Sequence, residues 1–595
     1  MCGICGELRF DDLQPDRGIL GGMISRLERR GPDAAGEYTD GPLALGHRRL
    51  SIIDLSERSN QPLVDRELGL VLVFNGTIYN YPELREQLTA RGYHFFTGGD
   101  SEVILKAYAE WGEDCPRHLH GMFAFAIWDT RQRRLFMARD RFGIKPLYYS
   151  LTRHYLRLAS TSQALLAAGG LDTEIDPVAL HHHLSLHAVV PAPRTLLRGL
   201  RKLPPAHSMT IHADGSNTVK RYWQLQPVVP AAGMSEWEWI EALHEALIRS
   251  VERRRTIADV PVGILLSGGL DSSLLVALLA EAGGGELHTF SVGFEDQPEE
   301  RGHEFEFSDM VAELYETRHQ RFSIPNSEVL ARLPEAVDNM AEPMVGQDAV
   351  AFYLLGEQVS QAVKVVQSGQ GADEVFAGYF WYPQMHAAAG SDIERFRDFY
   401  FDRTHAELQD TIGERYRGPD YTSPRVAHGL AQSGADRFLN RVLSFDASTL
   451  IVDDPVKRVD NMTMAWGLEA RVPFLDHELV ELAVGVPPEI KLKSGGKHIL
   501  KSIARDLLPD IVIDRPKGYF PVPALKFVRG EVLEFMRGIL DSDACHQRGL
   551  LNRTMVDTLL ASPDQHHTPI LGSKLWHIAL LEFWLQRNVD TIPPA

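Results

Sequence analysis

The stretch Gly263–Ser273 combines glycines, hydroxyl groups and one carboxylate in the order Gly-Ile-Leu-Leu-Ser-Gly-Gly-Leu-Asp-Ser-Ser. The apolar run Val262–Leu266 begins just before it, and the helix-forming residues Leu274–Glu281 follow it. This order predicts a tight turn between a buried strand and a helix, where free N–H groups and the positive end of the helix face an anion. Since Asp271 would repel a bare phosphate, the turn predicts a phosphate site that also holds a cation.

A second glycine turn follows another apolar run. Val363–Gln367 predicts a buried strand, and the next seven residues are Ser-Gly-Gln-Gly-Ala-Asp-Glu. Alternation of such strands, including Leu287–Phe294, with helical stretches predicts a doubly wound parallel sheet, and ligands gather at the carboxyl-terminal edge of such sheets. Asp271 or Asp373 alone is more often a helix cap, but two acids at neighbouring strand ends favour a shared Mg²⁺ on a pyrophosphate.

Cys2 is a candidate nucleophile at the start of the chain. Removal of Met1 would leave its thiol and a free α-amine on one residue. An α-amine has a reference pKa of about 7.7–8.0, so it can act as the base that a thiol needs at neutral pH. Cys5 completes a C-x-x-C pattern, but no second pair is present to complete a zinc site. Taken alone, the position of Cys2 supports an accident of the start site equally well.

Other stretches of the N-terminal third favour the nucleophile. Leu70–Phe74 predicts a strand that ends at Asn75-Gly76, and a helical pattern runs from Gly98 to Trp111. Met122–Trp128 and Leu135–Arg139 predict the two strands of a hairpin. Many strands with few helices predict a layered α+β domain.

These residues together resemble the class II glutamine amidotransferase domain, which has an N-terminal-nucleophile fold built as an αββα sandwich. The resemblance implies that Cys2 attacks the side-chain amide of glutamine, and that Asn75 and Gly76 hold the developing oxyanion. It further implies that Arg49 binds the α-carboxylate of glutamine and that Asp100 binds its α-ammonium.

The loop Ser-Gly-Gly-x-Asp-Ser lacks the Gly-Lys-Ser/Thr ending of a Walker A sequence, and it resembles the pyrophosphate-binding loop of enzymes that split ATP into AMP and pyrophosphate. Over essentially its whole length, the chain resembles the glutamine-hydrolysing asparagine synthetases. That resemblance implies an ATP site with contacts to adenosine, phosphates and ribose from Leu265, Ser267, Gly268, Gly269, Asp271, Ser272, Val292, Ser368 and Gly369. It also implies that Asp271 and Asp373 bind Mg²⁺, and that Lys497 stabilises the charge on the transferring phosphoryl group.

The implied reaction has two halves. The N-terminal domain hydrolyses L-glutamine, and its ammonia passes through an internal channel to the second domain. There ATP activates an acceptor carboxylate as an acyl-adenylate with release of pyrophosphate, because a free carboxylate is a poor electrophile. Attack by ammonia then gives an amide and AMP.

Two positions depart from the family pattern. Thr77 stands where the family usually has Glu, so we expect glutamine to bind more weakly, or Asp100 to carry the ammonium contact alone. Gln370 stands where the asparagine-forming enzymes have an acid, and an amide has no charge at pH 7. This substitution argues against aspartate as acceptor. If Gln370 is instead a tolerated variation, aspartate is the acceptor and the enzyme makes asparagine.

In detail, the sequence is more similar to a neighbouring branch of the family, the N-acetylglutaminylglutamine amidotransferases, which amidate a capped dipeptide used as an osmolyte. This resemblance rests on His187–Pro193, Gln367–Tyr379, Leu450–Glu469 and Asp514–Lys526. A nucleotide-binding regulatory protein with idle sites is a further alternative. Loss of Cys2 or Asp271 would be its signature, and both residues are present.

Length, composition and charge limit the remaining possibilities. A chain of 595 residues is too long to fold around a single hydrophobic core, so more than one domain is expected. We place a glutaminase domain at 1–227, a linker at 228–235 and an ATP pyrophosphatase domain at 236–595. The net charge of −19 argues against nucleic acid as a partner, and no apolar run is long enough for a membrane span. Four scattered cysteines and the absence of a secretory signal predict a cytoplasmic protein. The number of subunits is open, with a homodimer as one option.

Three consecutive histidines lie at His181–His183, with His187 close behind. Metal binding is one interpretation, but no carboxylate or thiol partner is evident in the sequence. We therefore predict a helix with exposed histidines. Farther along, charges are dense among apolar residues in Asp453–Asp476, which predicts that these charges are paired.

Overall fold

The computed structural model describes residues 2–11, 13–228, 233–296, 301–515, 522, 525 and 528–591. Its strands, numbered β1 to β17 in chain order, are Gly3–Arg9, Ala34–Asp40, Leu43–Arg49, Leu63–Asp65, Leu70–Ile78, Gly121–Asp129, Arg134–Arg139, Tyr148–Leu151, Tyr155–Ala159, Arg201–Lys202, His207–His212, Asn217–Arg221, Val262–Leu265, His288–Phe294, Arg318–Ile324, Val365–Gln367 and Glu469–Arg471.

The α-helices of the first half of the chain are Arg17–Arg26, Tyr81–Ala90, Asp100–Trp111, Ser162–Ala167, Pro177–Ser185, Glu236–Thr256 and Leu270–Glu281. Those of the second half are Phe305–Leu314, Asn326–Asp338, Asp348–Val359, Ala372–Phe376, Trp381–Ala387, Asp392–Tyr400, His405–Thr411, Thr422–Ala431, Phe438–Phe445, Ile451–Asp453, Pro455–Met464, His477–Gly485, Pro488–Lys491, His498–Ala504, Asp510–Ile513, Gly530–Leu540, Asp543–Arg548, Arg553–Ala561 and Lys574–Asn588.

The N-terminal part is a sandwich of two six-stranded antiparallel sheets. Their strand orders are β10-β8-β9-β1-β3-β2 and β12-β11-β7-β6-β5-β4. Alternate side chains of the two sheets, such as Leu45 and Val73, form one buried layer between them. Helices Tyr81–Ala90 and Asp100–Trp111 cover the second sheet with apolar residues, and helices Arg17–Arg26 and Ser162–Ala167 cover the first. The result is the predicted αββα arrangement.

The C-terminal part contains a five-stranded sheet in the order β15-β14-β13-β16-β17, with every neighbouring pair parallel. The prediction of a doubly wound parallel sheet is confirmed. The apolar helix Leu270–Glu281 begins five residues after β13 ends, which gives the predicted strand, turn and helix around Ser267. At the start of this part, Ser235 and Glu238 form a capping box on helix Glu236–Thr256. Of the predicted linker 228–235, residues 229–232 lie outside the described residues, as does most of 516–527.

Buried ion pairs join the two parts. Arg30 and Lys145 of the sandwich contact the carboxylate of Asp460 at 3.0 and 3.2 Å. Lys202 contacts Asp453 at 2.6 Å and Glu342 at 2.8 Å. All six side chains are buried, and the prediction that the charges of Asp453–Asp476 are paired holds for Asp453 and Asp460.

The histidine run corrects a prediction. His181–His183 are buried, although an exposed helix face was expected. The reason is that helices His405–Thr411 and Thr422–Ala431 of the second part pack on helix Pro177–Ser185. His181 Nε2 donates to the backbone oxygen of Tyr416 at 2.9 Å, and His182 Nδ1 shares a hydrogen bond with the Thr422 hydroxyl at 3.1 Å. No helix within the described ranges is both long and apolar enough to cross a membrane.

Candidate active sites

Cys2 lies where the two sheets of the sandwich meet. It immediately precedes β1, and its backbone nitrogen donates to Asn75 Oδ1 on β5 at 3.0 Å. Burial raises the pKa of the Cys2 thiol above its ordinary value, although the charge of Arg49 opposes the shift. A thiol in this position therefore needs a base to become a nucleophile.

Asn75 and Gly76 belong to β5, which continues to Ile78 and does not end at Phe74 as expected. Asn75 is fully buried, and its Nδ2 donor has no hydrogen-bond partner among the described residues. An unsatisfied buried donor is costly, so Nδ2 is suited to a ligand oxygen. Gly76 has φ of +155°, and a Cβ there would clash with the backbone oxygen of Met122, so only glycine fits.

Arg49 ends β3 and is buried, but its guanidinium is held by the loop that follows. Nη1 donates to the Ser56 oxygen and to Asn60 Oδ1, both at 2.8 Å. Nη2 donates to the backbone oxygens of Ile53 and Asp54. The predicted contact with the glutamine carboxylate therefore requires Nε or a rearrangement of this loop.

Asp100 is the first residue of its helix and is buried, and its Oδ2 accepts the backbone N–H of Ile78 at 3.0 Å. Burial raises the pKa of this carboxyl to about 6, against the Ile78 hydrogen bond and with help from the charge of Glu469. Only the ionised form can bind an ammonium group.

The titration of Asp100 gives a pH prediction for glutamine use. Because the carboxylate loses its charge as the pH falls through about 6, kcat/KM for glutamine should fall by up to about tenfold per pH unit below that value. Glutaminase rates measured across this pH range test it, and synthesis from ammonia, compared at equal concentrations of free NH₃, should lack the acidic limb. The Asp100→Asn variant should have a low activity without the limb, and a limb with the same midpoint in that variant would rule out Asp100 as its origin.

Glu469 reaches the glutaminase site from the parallel sheet, where it is the first residue of β17. Its Oε1 accepts from the Thr77 hydroxyl at 3.2 Å and from Arg471 Nε at 2.6 Å. Burial opposes ionisation, but Arg471 and Lys145 contribute to lowering the pKa of Glu469 to about 2. A charged carboxylate thus lies beside the residue that replaces the usual Glu. The sequence suggested only that this charged region was paired.

The glycine loop after β13 is held by its own serines. Ser272 Oγ accepts from the Ser267 backbone N–H at 3.1 Å and lies 3.0 Å from Ser267 Oγ. Gly268 has φ of +75°, and a Cβ there would lie 2.7 Å from the Ser308 nitrogen. Gly269 is the N-cap of helix Leu270–Glu281, so the positive end of that helix faces the loop.

The second glycine turn lies against the first. A Cβ on Gly369 would lie 3.1 Å from Asp271 Cβ and 3.4 Å from the Ser272 nitrogen. The Ser368 backbone N–H donates to the Arg471 oxygen at 2.9 Å, which ties the turn to the neighbouring strand. The parallel sheet therefore brings together two loops that are about a hundred residues apart in the sequence, as predicted.

Lys497 lies between the two predicted metal ligands. Its Nζ is 2.6 Å from Asp271 Oδ2 and 2.6 Å from Asp373 Oδ1. Burial alone would lower the pKa of this lysine, but the two carboxylates raise it above its ordinary value. The donor set fits Mg²⁺, because two hard carboxylate oxygens converge on one point, where the Lys497 ammonium now lies.

These loops form one wall of a cavity of about 1250 Å³. Each of the nine predicted ATP contacts except Gly268 lines it, together with Asp373 and Lys497. The cavity is also lined by polar side chains for which the sequence indicated no role in the reaction, among them His187, Arg458, Lys501 and Arg515. Arg515 Nη2 pairs with Glu304 at 2.9 Å near the mouth of the glycine loop. Nothing in their types or spacing indicates a shared cavity, so only the fold reveals their place.

The two sites define a class of protein: an enzyme that couples glutamine hydrolysis to a nucleotide-dependent reaction in a second domain. Residues 1–223 match the family model "Glutamine amidotransferase domain", and residues 242–586 match "Asparagine synthase". Asparagine synthetase [glutamine-hydrolyzing] 1 of Bacillus subtilis is 32% identical over 99% of this chain and 97% of its own length. The corresponding enzyme of Asparagus officinalis is 28% identical over 99% of this chain and 86% of its own.

Among solved structures, a glutamine phosphoribosylpyrophosphate amidotransferase of Bacillus subtilis aligns over 48% of this chain and 64% of its own, with 18% identity and a TM-score of 0.29. The two family models and the relatives, however, cover nearly the whole chain. The protein belongs to the glutamine-hydrolysing asparagine synthetase family, and it is an ATP-dependent ligase with glutamine as nitrogen donor.

Proposed function

We propose that Cys2 becomes the first residue when Met1 is removed, and that its thiol then attacks the carboxamide carbon of glutamine while its own α-amine accepts the thiol proton. Asn75 Nδ2 and the Gly76 N–H stabilise the oxyanion. The support is the 3.0 Å contact between Cys2 and Asn75, together with the donor that Asn75 leaves unsatisfied in the described structure. Arg49 and Asp100 bind the α-carboxylate and α-ammonium, and Glu469 supplies the negative charge that Thr77 lacks.

The released ammonia crosses to the nucleotide site in the second domain. There the loops after β13 and β16 bind ATP through the nine contacts given above, and an acceptor carboxylate attacks the α-phosphorus to give an acyl-adenylate and pyrophosphate. Asp271 and Asp373 hold Mg²⁺, which neutralises pyrophosphate charge. Lys497 provides a further buried positive charge for the transferring phosphoryl group. Ammonia displaces AMP and leaves an amide.

For the acceptor, we favour the terminal carboxylate of the capped dipeptide N-acetylglutaminylglutamine. The observation that carries this choice is Gln370 on the cavity wall, since a neutral amide there suits an uncharged part of the acceptor. The cavity volume of about 1250 Å³ exceeds that of typical small-molecule pockets, which leaves room beside ATP for more than one amino acid. Aromatic side chains of Tyr379, Trp381 and Tyr400 line the same cavity and offer faces for amide groups.

Aspartate is the second candidate acceptor. The relatives in Bacillus subtilis and Asparagus officinalis are named asparagine synthetases, and their similarity covers both domains of this chain. With aspartate as acceptor, Gln370 would be a tolerated variation.

An acceptor assay separates the two candidates. Purified protein with ATP, Mg²⁺ and glutamine should form AMP at least about tenfold faster with the capped dipeptide than with aspartate at the same concentration. This ratio corresponds to about 1.4 kcal/mol of discrimination between the two acceptors. A reaction without acceptor gives the background, and mass spectrometry identifies the amide. AMP formation stimulated by aspartate alone, with asparagine as product, would reverse the assignment.

The remaining proposals concern organisation. We keep the glutaminase domain at 1–227, the linker at 228–235 and the ATP pyrophosphatase domain at 236–595. For the oligomeric state, we propose a homodimer. The four cysteines are free, which supports a reducing compartment such as the cytoplasm as the place of action.

A further inference from the structure

Three titratable side chains from distant segments meet at the wall of the nucleotide cavity. His187 follows helix Pro177–Ser185, Asp402 lies after helix Asp392–Tyr400, and His577 belongs to the last helix. Asp402 Oδ1 is 3.5 Å from His187 Nδ1, and Asp402 Oδ2 is 3.4 Å from His577 Nδ1. Both histidines line the cavity, whereas Asp402 is fully buried behind them. Neither half of the proposed reaction uses these groups.

Hydrogen bonds of the backbone hold His187 in place beside Asp402. His187 and Ala188 have φ of +51° and +65°, a conformation that costs free energy in residues other than glycine. The His187 backbone N–H donates to Asp402 Oδ2 at 3.0 Å. The Asp402 N–H in turn donates to the Ser185 oxygen at 3.0 Å, and Arg403 Nη1 donates to the Leu184 oxygen at 3.0 Å. Strain kept by so many contacts is typical of functional positions.

The carboxylate also sets the character of the imidazole. Since Nδ1 faces Asp402, Nε2 is the nitrogen left for a ligand, and the 16% of the side chain that is exposed borders the cavity. Burial lowers the pKa of His187, but Asp402 and the more distant Asp454 outweigh burial and the charge of Arg458, so the pKa lies above its ordinary value. The pKa of His577 is lowered to about 4 by burial, so this neighbour is neutral at pH 7.

Amide formation needs a proton acceptor in this cavity. When ammonia attacks the acyl carbon, its nitrogen becomes positively charged and must lose a proton before AMP leaves. Gln370 cannot accept this proton. Each of the other acids that line the cavity contacts a basic or hydroxyl side chain. The pairs are Asp348 and Asp454 with Arg458, Asp446 with the Tyr382 hydroxyl, Glu374 with the Tyr379 hydroxyl, Glu304 with Arg515, Asp514 with Arg505, Asp564 with Arg529, and Asp271 and Asp373 with Lys497.

We propose that His187 Nε2 accepts the proton of the attacking nitrogen and that Asp402 is its positioning residue. The inference rests on the proposed amidation through an acyl-adenylate. The nitrogen lone pair forms the C–N bond while the carbonyl π pair moves to oxygen, and one N–H proton passes to Nε2. Collapse of the oxyanion restores C=O and expels AMP with the C–O bond pair. The imidazolium then returns its proton to water.

The test separates adenylation from amide formation. His187→Asn is the main variant, because asparagine tolerates positive φ, and His187→Gln is the second. With ATP, Mg²⁺, labelled pyrophosphate and the acceptor that the assay above selects, pyrophosphate exchange should stay within about twofold of wild type. Amide formation from ammonia should fall about 100-fold or more, the usual contribution of general base catalysis. Asp402→Asn should have the same split, which a purely structural role would not produce.

A matched control is His181→Gln, in the preceding helix and away from the cavity, which should leave both reactions unchanged. Equal loss of exchange and amide formation in both His187 variants, or loss of neither, would overturn the inference. So would a stoichiometric metal ion that is present in the purified wild type and absent from the His187 variants, since the cluster would then be a metal site. Absence of acceptor-dependent exchange in the wild type would instead overturn the proposed function.

Discussion

The Cys2→Ala variant should lose glutamine hydrolysis by about 10⁴-fold or more while it still makes amide from ammonium salts. The loss is this large because removal of a covalent nucleophile abolishes the pathway and does not merely weaken a contact. The nucleotide site is untouched, since Cys2 lies in the sandwich and the ATP loops lie on the parallel sheet. Glutamate release and AMP formation, measured with glutamine and with ammonia in parallel, give both rates.

Cys5→Ala is the control for this experiment. Cys5 is fully buried in the apolar core three residues away, where burial raises the pKa of its thiol far above the ordinary value. Because its side chain belongs to the apolar core and not to the site around Asn75, its variant should keep glutaminase activity. Glutamine-dependent synthesis in Cys2→Ala at the wild-type rate would disprove the assignment.

The Asp271→Asn variant should lose acceptor-dependent AMP formation by about 10²- to 10³-fold and keep glutamine hydrolysis. The substitution keeps the shape of the side chain but removes one of the two charges that converge on Lys497. The metal would lose an anionic ligand, and Lys497 would keep only Asp373. AMP and pyrophosphate release report the first reaction, and glutamate release reports the second.

Asp373→Asn should have the same defect, because both carboxylates face the same cation. Asp557→Asn is a suitable control in the same domain, since Asp557 is an exposed acid paired with Arg553 on the surface. Normal AMP formation in Asp271→Asn would exclude its proposed role in metal binding.

The sequence predicted the architecture because its local patterns were strong. Two apolar runs, each followed by glycines, were sufficient to predict two strands of a parallel sheet that end in loops; the runs begin at Val262 and Val363. The fold places both loops at one edge of that sheet. Strand ends were less accurate: β5 runs on to Ile78 because Asn75 and Gly76 pair with Ala124 and Phe123, which no local pattern indicates.

Contacts between the two parts could not be predicted. Glu469 lies nearly four hundred residues from Thr77, so its place beside the glutaminase site depends on how the domains dock. For the same reason, His181–His183 were expected at the surface, whereas helices from the other part cover them. The contact of His187 with Asp402 could not be predicted either, because the two residues lie far apart in the sequence.

The buried ion pairs between the two parts have a consequence for engineering and evolution. Arg30, Lys145 and Lys202 all belong to the sandwich, whereas the acids that neutralise them belong to the other part. Separation of the two parts would leave charged groups without these partners, and a buried charge that loses its partner is strongly destabilising. A hybrid that takes its glutaminase from another enzyme must therefore supply matching cations, because the acids of the host domain would otherwise be buried without partners.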